Sequence, residues 1–135
     1  MESLPGWHTI MGLQFENLVL HQTKEICRLL NISLESIVSA SSYFQNKTTK
    51  TKGACQVDLL IVTHANTYYI CEIKFSTKVE KGIIAELQNK IRVLNLPKHV
   101  SIRPVLIYGG SVAESVMRSG WFDHTISFDQ LLQMP

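Results

Sequence analysis

Three charged residues interrupt two apolar stretches of this chain. Asp58 lies within Val57-Asp58-Leu59-Leu60-Ile61-Val62, and Glu72 and Lys74 lie within Tyr68-Tyr69-Ile70-Cys71-Glu72-Ile73-Lys74-Phe75. Charges are seldom placed in such stretches, because desolvating them is costly unless they pair or hold a metal. Both stretches read as β-strands, joined by the turn-forming Thr63-His64-Ala65-Asn66-Thr67. Side chains alternate along a strand, so Glu72 and Lys74 share one face while Cys71, Ile73 and Phe75 share the other. Antiparallel pairing across this short connection brings Asp58 close to Glu72. Two carboxylates at one place can ligate a hard divalent cation, and an ammonium beside them can stabilise negative charge developing on a substrate. A buried salt-bridge network is the plain alternative. It leaves two acids against one lysine, an uncompensated charge unless a cation joins them.

The elements that must position these residues follow from hydrophobic periodicity. A helix is expected from about Thr9 to Leu30, with Met11, Phe15, Leu18, Ile26, Leu29 and Leu30 on its apolar side and Asn31 as its stop. Glu16 sits on the border of that stripe, one turn after Gly12, whose missing side chain lets the helix approach a sheet and Glu16 reach inward. Ile37 to Phe44 reads as a first strand, Gln45 to Lys52 as a polar basic loop, and the central strand begins near Ala54. Ser76-Thr77 offers a cap for a second helix, with Ile83, Ile84, Leu87, Ile91 and Leu94 on one stripe ending before Pro97. Arg103 to Tyr108, closed by Gly109-Gly110, is a strand buried on both faces; because a helix precedes it, it should lie parallel to the Glu72 strand. Val112 to Arg118 forms a short helix, Gly120 breaks it, Trp121 to Phe128 makes an edge-like last strand, and Asp129 to Met134 a terminal helical turn. The expected fold class is α/β, a mixed β-sheet flanked by helices, in one domain spanning residues 1–135.

Composition bounds the function without naming it. Apolar residues make up 45% of the 135 and charged ones 18%, which fits a single packed core and argues against disorder. A net charge of +2 identifies no partner. Lys47, Lys50 and Lys52 cluster locally and could meet nucleic-acid phosphates, although a solvated basic loop reads equally well. Cys27, Cys55 and Cys71 lack metal-site spacing and read as small core residues. No signal peptide or membrane-spanning run is visible, so a cytoplasmic location and no membrane partner are expected. No P-loop is present. The five histidines lack paired spacing and read as structural or exposed, and Trp7 and Trp121 as packing residues. The N-x-[ST] triplets at Asn31 and Asn46 carry no meaning for glycosylation in that compartment.

Asp58, thirteen intervening residues and then Glu72-Ile73-Lys74, in adjacent apolar strands with a helical acid upstream, resemble the signature of the PD-(D/E)XK nuclease superfamily. Val57 stands where the superfamily's name has its proline. The resemblance implies a restriction-endonuclease-like core and metal-dependent phosphodiester hydrolysis on DNA. Asp58 and Glu72 would be the main ligands of Mg²⁺ or Mn²⁺, with Glu16 and the Ile73 carbonyl as further donors and Lys74 beside the scissile phosphate. It also implies a glutamine or lysine from the following helix; Gln88 is favoured over Lys90. Gln56, two residues before Asp58, has the facing to join them. G-L-Q-F-E-N-L-V, C-Q-V-D-L-L-I, C-E-I-K-F-S, E-L-Q-N-K-I and R-P-V-L-I-Y-G-G, in this order, resemble the C-terminal domain of a group of prokaryotic AAA+-type ATPases. That implies a preceding ATPase module as a partner in a longer protein. The competing expectation is a catalytically silent nuclease-fold module used for binding or assembly. Oligomeric state stays open, a homodimer included.

Overall fold

Side-chain alternation along five strands sorts the apolar residues into two sets, and each set is covered by helices. The computed structural model describes residues 14, 16–47 and 49–132. Strands β1 (Ile37–Gln45), β2 (Cys55–Thr63), β3 (Thr67–Val79), β4 (Ser101–Val112) and β5 (His124–Ser127) form one sheet in the order β1-β2-β3-β4-β5. The first three are antiparallel neighbours; β3, β4 and β5 run parallel. Residues 16–20 are helical, followed by α1 (Thr23–Leu29), α2 (Gly82–Val93), α3 (Glu114–Ser119) and α4 (Phe128–Leu132). Ile26 and Cys27 of α1 and Leu131 of α4 pack with Leu59, Ile61, Cys71, Ile73, Val105, Ile107 and Ile126. Ile83, Ile84 and Leu87 of α2 and Val116 of α3 pack with Val57, Leu60, Ile70 and Leu106. The fold is therefore α/β, a five-stranded mixed sheet flanked by helices on both faces. Among the described residues no helix is long and apolar enough to cross a membrane.

The element bounds differ from expectation in places that have physical reasons. Helix Thr9–Leu30 is not continuous within the described residues: it breaks at His21-Gln22, where the Thr23 hydroxyl donates to the Leu20 carbonyl at 2.6 Å, and resumes as α1. Thr9, Gly12 and Phe15 lie outside the described residues. The stop at Asn31 is a left-handed cap with φ 58°; its N–H donates to the Arg28 carbonyl and that of Ile32 to the Cys27 carbonyl, at 3.0 and 2.9 Å. Ser76-Thr77 caps no helix, because β3 continues to Val79 and the Ser76 hydroxyl exchanges hydrogen bonds with the Lys78 backbone. β4 likewise runs through Gly109-Gly110. Gly110 has φ +96°, and a Cβ there would fall 1.8 Å from the Ser76 carbonyl oxygen, so only glycine lets the two strands close at this point. β5 is short, since Asp123 turns back to donate its N–H to the Pro104 carbonyl at 2.8 Å while Trp121 and Phe122 stack edge to face, centroids 5.0 Å apart.

Candidate active site

A β-bulge sets the position of Asp58. Ser41 pairs with Leu60 and Tyr43 with Val57, so β2 carries one residue more than β1 between these pairs. The alternation of β2 breaks there: Leu59 faces one core, and Val57 joins Leu60 in the other. The β2–β3 ladder stops at Leu59↔Cys71, one step short of Asp58 and Glu72. Beyond it, Asp58 Oδ2 accepts the Ile73 N–H at 2.9 Å, so a carboxylate takes the place of the missing ladder bond. The N–H and carbonyl of a strand residue point to the same edge, so the Ile73 carbonyl faces this gap as well.

Glu72 lies at the gap, only 3% exposed. Both its carboxylate oxygens accept hydrogen bonds from Lys90 Nζ of α2, at 3.2 and 3.0 Å. Lys74 Nζ lies 3.9 Å from Glu72 Oε1 and 3.4 Å from Glu86 Oε2, bridging the buried acid and an exposed one. Lys90 follows Leu87 by three residues and so shares its inward face, whereas Gln88 is exposed on the outer side of α2. The helix residue brought to the acids is thus Lys90 and not Gln88, and helical periodicity alone distinguishes them. Gln56 is likewise exposed, beside Phe44 of β1.

Electrostatics tie the cluster together. Burial, and then the charge of Asp58, push the Glu72 carboxyl up to about 7 against the pull of Lys90 and Lys74. Glu16, in the first helical segment, is raised by its own desolvation and by the charge of Asp58, with Lys90 acting against both. Burial works against the charge on Lys90, but Glu72, and more weakly Asp58 and Cys55, hold it protonated above the usual lysine range. Cys55, half-buried against the core, also borders the ion pair, and burial raises its thiol. Beside Lys74 opens a groove of about 250 Å³ whose polar lining is Lys74, Ser76, Lys78, Glu80 and Glu86. A separate cavity of about 310 Å³, at the C-terminal ends of β3 and β4, includes Leu18, Phe75 and Tyr108 in its lining but none of the clustered acids and lysines.

The donor set suits a hard divalent cation in kind, being carboxylates and a backbone carbonyl. Burial, and after it the charge of Asp58, raises both Glu72 and Glu16, and the second of these is what such a cation would relieve. Among the described residues, however, no three His, Cys, Asp or Glu side chains stand close enough to share one ion. In this arrangement Lys90 is the cation that Glu72 holds.

The basic loop divides by role. Lys47 and Lys50 are exposed, whereas Lys52 Nζ donates to the Arg92 and Leu94 carbonyls at 3.2 Å each, tying the loop to the end of α2. The buried Gln45 amide reinforces this tie: it donates to the Gly53 and Val93 carbonyls at 2.8 and 2.9 Å and accepts the Asn95 N–H at 2.7 Å. At the far end of the sheet Asp123 accepts from Arg103 at 3.0 Å and pairs with His124 Nδ1 at 2.8 Å. Partial burial opposes its charge, but these two partners hold its carboxyl below the usual range.

No protein-family model matches the chain, and no curated protein matches it by sequence. Among solved structures it is similar to the crystal structure of a protein of unknown function, AF1548, with a TM-score of 0.54 and 14% identity. The likeness covers 84% of this chain and 65% of the length of that one. At this identity it speaks for the fold alone.

Proposed function

We propose that this chain is a metal-dependent nuclease domain of the PD-(D/E)XK type, hydrolysing phosphodiester bonds in DNA with Mg²⁺ or Mn²⁺. The observation that carries the reading is the gap between β2 and β3, where Asp58, Glu72 and Lys74 meet beside Lys90. The order of a leading helix, antiparallel β1-β2-β3, α2 and parallel β4 supports a restriction-endonuclease-like core. A divalent cation held by Asp58 and Glu72, with Glu16 and the Ile73 carbonyl as further donors, would supply a nucleophilic water near neutral pH and offset phosphoryl charge. Lys74, poised at the mouth of the groove, stabilises the charge that grows on the phosphoryl oxygens. Lys90 favours the ionised form of Glu72, opposing its burial and the charge of Asp58, and turns to the phosphate once the acid is otherwise neutralised. Lys47 and Lys50 provide phosphate contacts outside the groove. The string of matching motifs supports an ATPase module ahead of this domain in the full-length protein.

A second reading has one observation in its favour. Lys90 already occupies both oxygens of Glu72, an arrangement that suits a catalytically silent module retained for binding or assembly. Incubating the purified chain with labelled single-stranded, duplex, flapped and four-way-junction DNA, with Mg²⁺, Mn²⁺ or chelator, separates the two. Cleavage that requires metal and disappears in Glu72→Gln supports the nuclease; DNA binding without cleavage under every condition supports the silent module.

A further inference from the structure

We propose that Gln45 and Lys52 are positioning residues: they fix the last turn of α2 so that Lys90 sits on Glu72, where its ammonium holds the place a divalent cation would take. The last carbonyls of a helix have no partner within it, and a residue in left-handed conformation, usually glycine, often closes the end. α2 ends differently. Leu94, which follows it, is extended, and its N–H closes the helix on the Lys90 carbonyl at 3.0 Å. Three carbonyls beyond that point are met from another part of the chain. Lys52 Nζ donates to those of Arg92 and Leu94 at 3.2 Å each, and Gln45 Nε2 to that of Val93 at 2.9 Å. Gln45 also accepts the Asn95 N–H at 2.7 Å and donates to the Gly53 carbonyl at 2.8 Å, so one side chain joins the end of β1, the loop after it and the end of α2. That side chain belongs to a buried residue, 4% exposed. Lys52 adds a positive charge at the negative end of the helix.

The consequence falls on Lys90. It stands in the last turn of α2, two residues before Arg92, and its flexible four-carbon stem gives it no fixed position of its own. Its ammonium nevertheless spans both oxygens of Glu72, at 3.2 and 3.0 Å. Cys55 borders this ion pair and is the strand partner of Gln45 across β1 and β2, which brings the clamp and the ion pair together. A cation that binds Glu72 must displace Lys90, and whatever fixes Lys90 there opposes that cation. The positioning stands without the nuclease reading; the competition with a metal rests on it.

Trace acetylation with acetic anhydride in chelator, read lysine by lysine by peptide mass spectrometry, tests the positioning. In the wild type Lys90 should react more slowly than the exposed Lys78 and Lys81. Lys52→Met, which keeps the stem and removes the ammonium, should raise the Lys90 rate about threefold with the Lys78 and Lys81 rates unchanged. Gln45→Met, where circular dichroism shows it folded, should do the same. Lys52→Arg, which can still donate to both carbonyls, should keep the wild-type rate. Calorimetric titration of Mn²⁺ above pH 7 tests the competition: Lys52→Met should bind about threefold more tightly than wild type, and in a Lys90→Met background it should change the affinity no further. A Lys90 rate unmoved by Lys52→Met overturns the positioning, as does an increase shared by every lysine, the mark of a loosened fold. Mn²⁺ affinity unchanged or weakened in Lys52→Met overturns the competition. Absence of Mn²⁺ binding in every variant overturns it as well, together with the metal site proposed above, and the Lys90 rates alone then decide the positioning.

Discussion

Replacing Glu72 with glutamine removes the one buried carboxylate at the centre of the cluster and makes its energetics measurable. The folded protein holds that carboxyl at about 7, against 4.5 for an unperturbed glutamate. Below pH 4.5 it is protonated whether the chain is folded or not, and its ionisation costs the fold nothing. Between 4.5 and 7 only the folded protein keeps the proton, so unfolding releases it and rising pH favours the unfolded chain. Above 7 both states are ionised and the full cost is present. A shift of this size corresponds to roughly 3 kcal/mol, of which about 2–3 kcal/mol falls between pH 5 and pH 8. Glutamine cannot titrate. Urea unfolding of wild type and Glu72→Gln at pH 5, 6, 7 and 8 in chelator should show the wild type losing about that much stability relative to the variant as pH rises. Glu16 is also raised and gives a slope of the same sign in both proteins, which the comparison subtracts. The raised Lys90 contributes stability that is lost only near and above its own alkaline range, outside the window. Parallel stability profiles for the two proteins from pH 5 to pH 8 would rule out a raised Glu72 carboxyl, as would a wild type that gains on the variant.

Three further outcomes follow from the geometry. Lys74→Ala should slow DNA cleavage by about 100-fold, roughly 3 kcal/mol of transition-state stabilisation, while DNA affinity measured in Ca²⁺ stays within about twofold, because an ammonium binds no metal; equal cleavage rates would show that Lys74 has another role. Gly110→Ala should destabilise the fold by about 3 kcal/mol or more, since the new methyl meets the Ser76 carbonyl oxygen and the backbone there has φ +96°; a thermal midpoint unchanged from wild type would contradict the close approach of β3 and β4. Lys50→Ala should reduce the slope of log affinity for duplex DNA against log salt by about 1; an unchanged slope places Lys50 away from phosphate.

Strand periodicity suffices to place Glu72 beside Lys74, and the short connection suffices to bring Asp58 near them. It cannot show the bulge at Asp58, because an extra residue on one strand is defined only by its partner, here the pairs Ser41↔Leu60 and Tyr43↔Val57. Helical periodicity distinguishes Lys90 from Gln88 once Leu87 is taken as the inward reference, so the expectation of Gln88 gives way to a signal already present in the chain. Ser76-Thr77 has the composition of a helix cap, yet a tertiary contact prevails: Gly110 lets β4 run alongside, and β3 continues. Lys52 reads as one of three equivalent basic residues; the carbonyls at the end of α2, forty residues away in sequence, make it different. At Asp58, Ser76-Thr77 and Lys52, by contrast, the deciding partner is distant along the chain.

A calorimetric titration of Mn²⁺ into wild type and Asp58→Ala, above pH 7 where Glu72 is ionised, decides whether Asp58 and Glu72 together form a divalent-metal site. Wild type should show one saturable binding event, accompanied by a rise in thermal stability that follows mass action, and Asp58→Ala should lose both. Equal Mn²⁺ binding by the two proteins, or none by either, would contradict it.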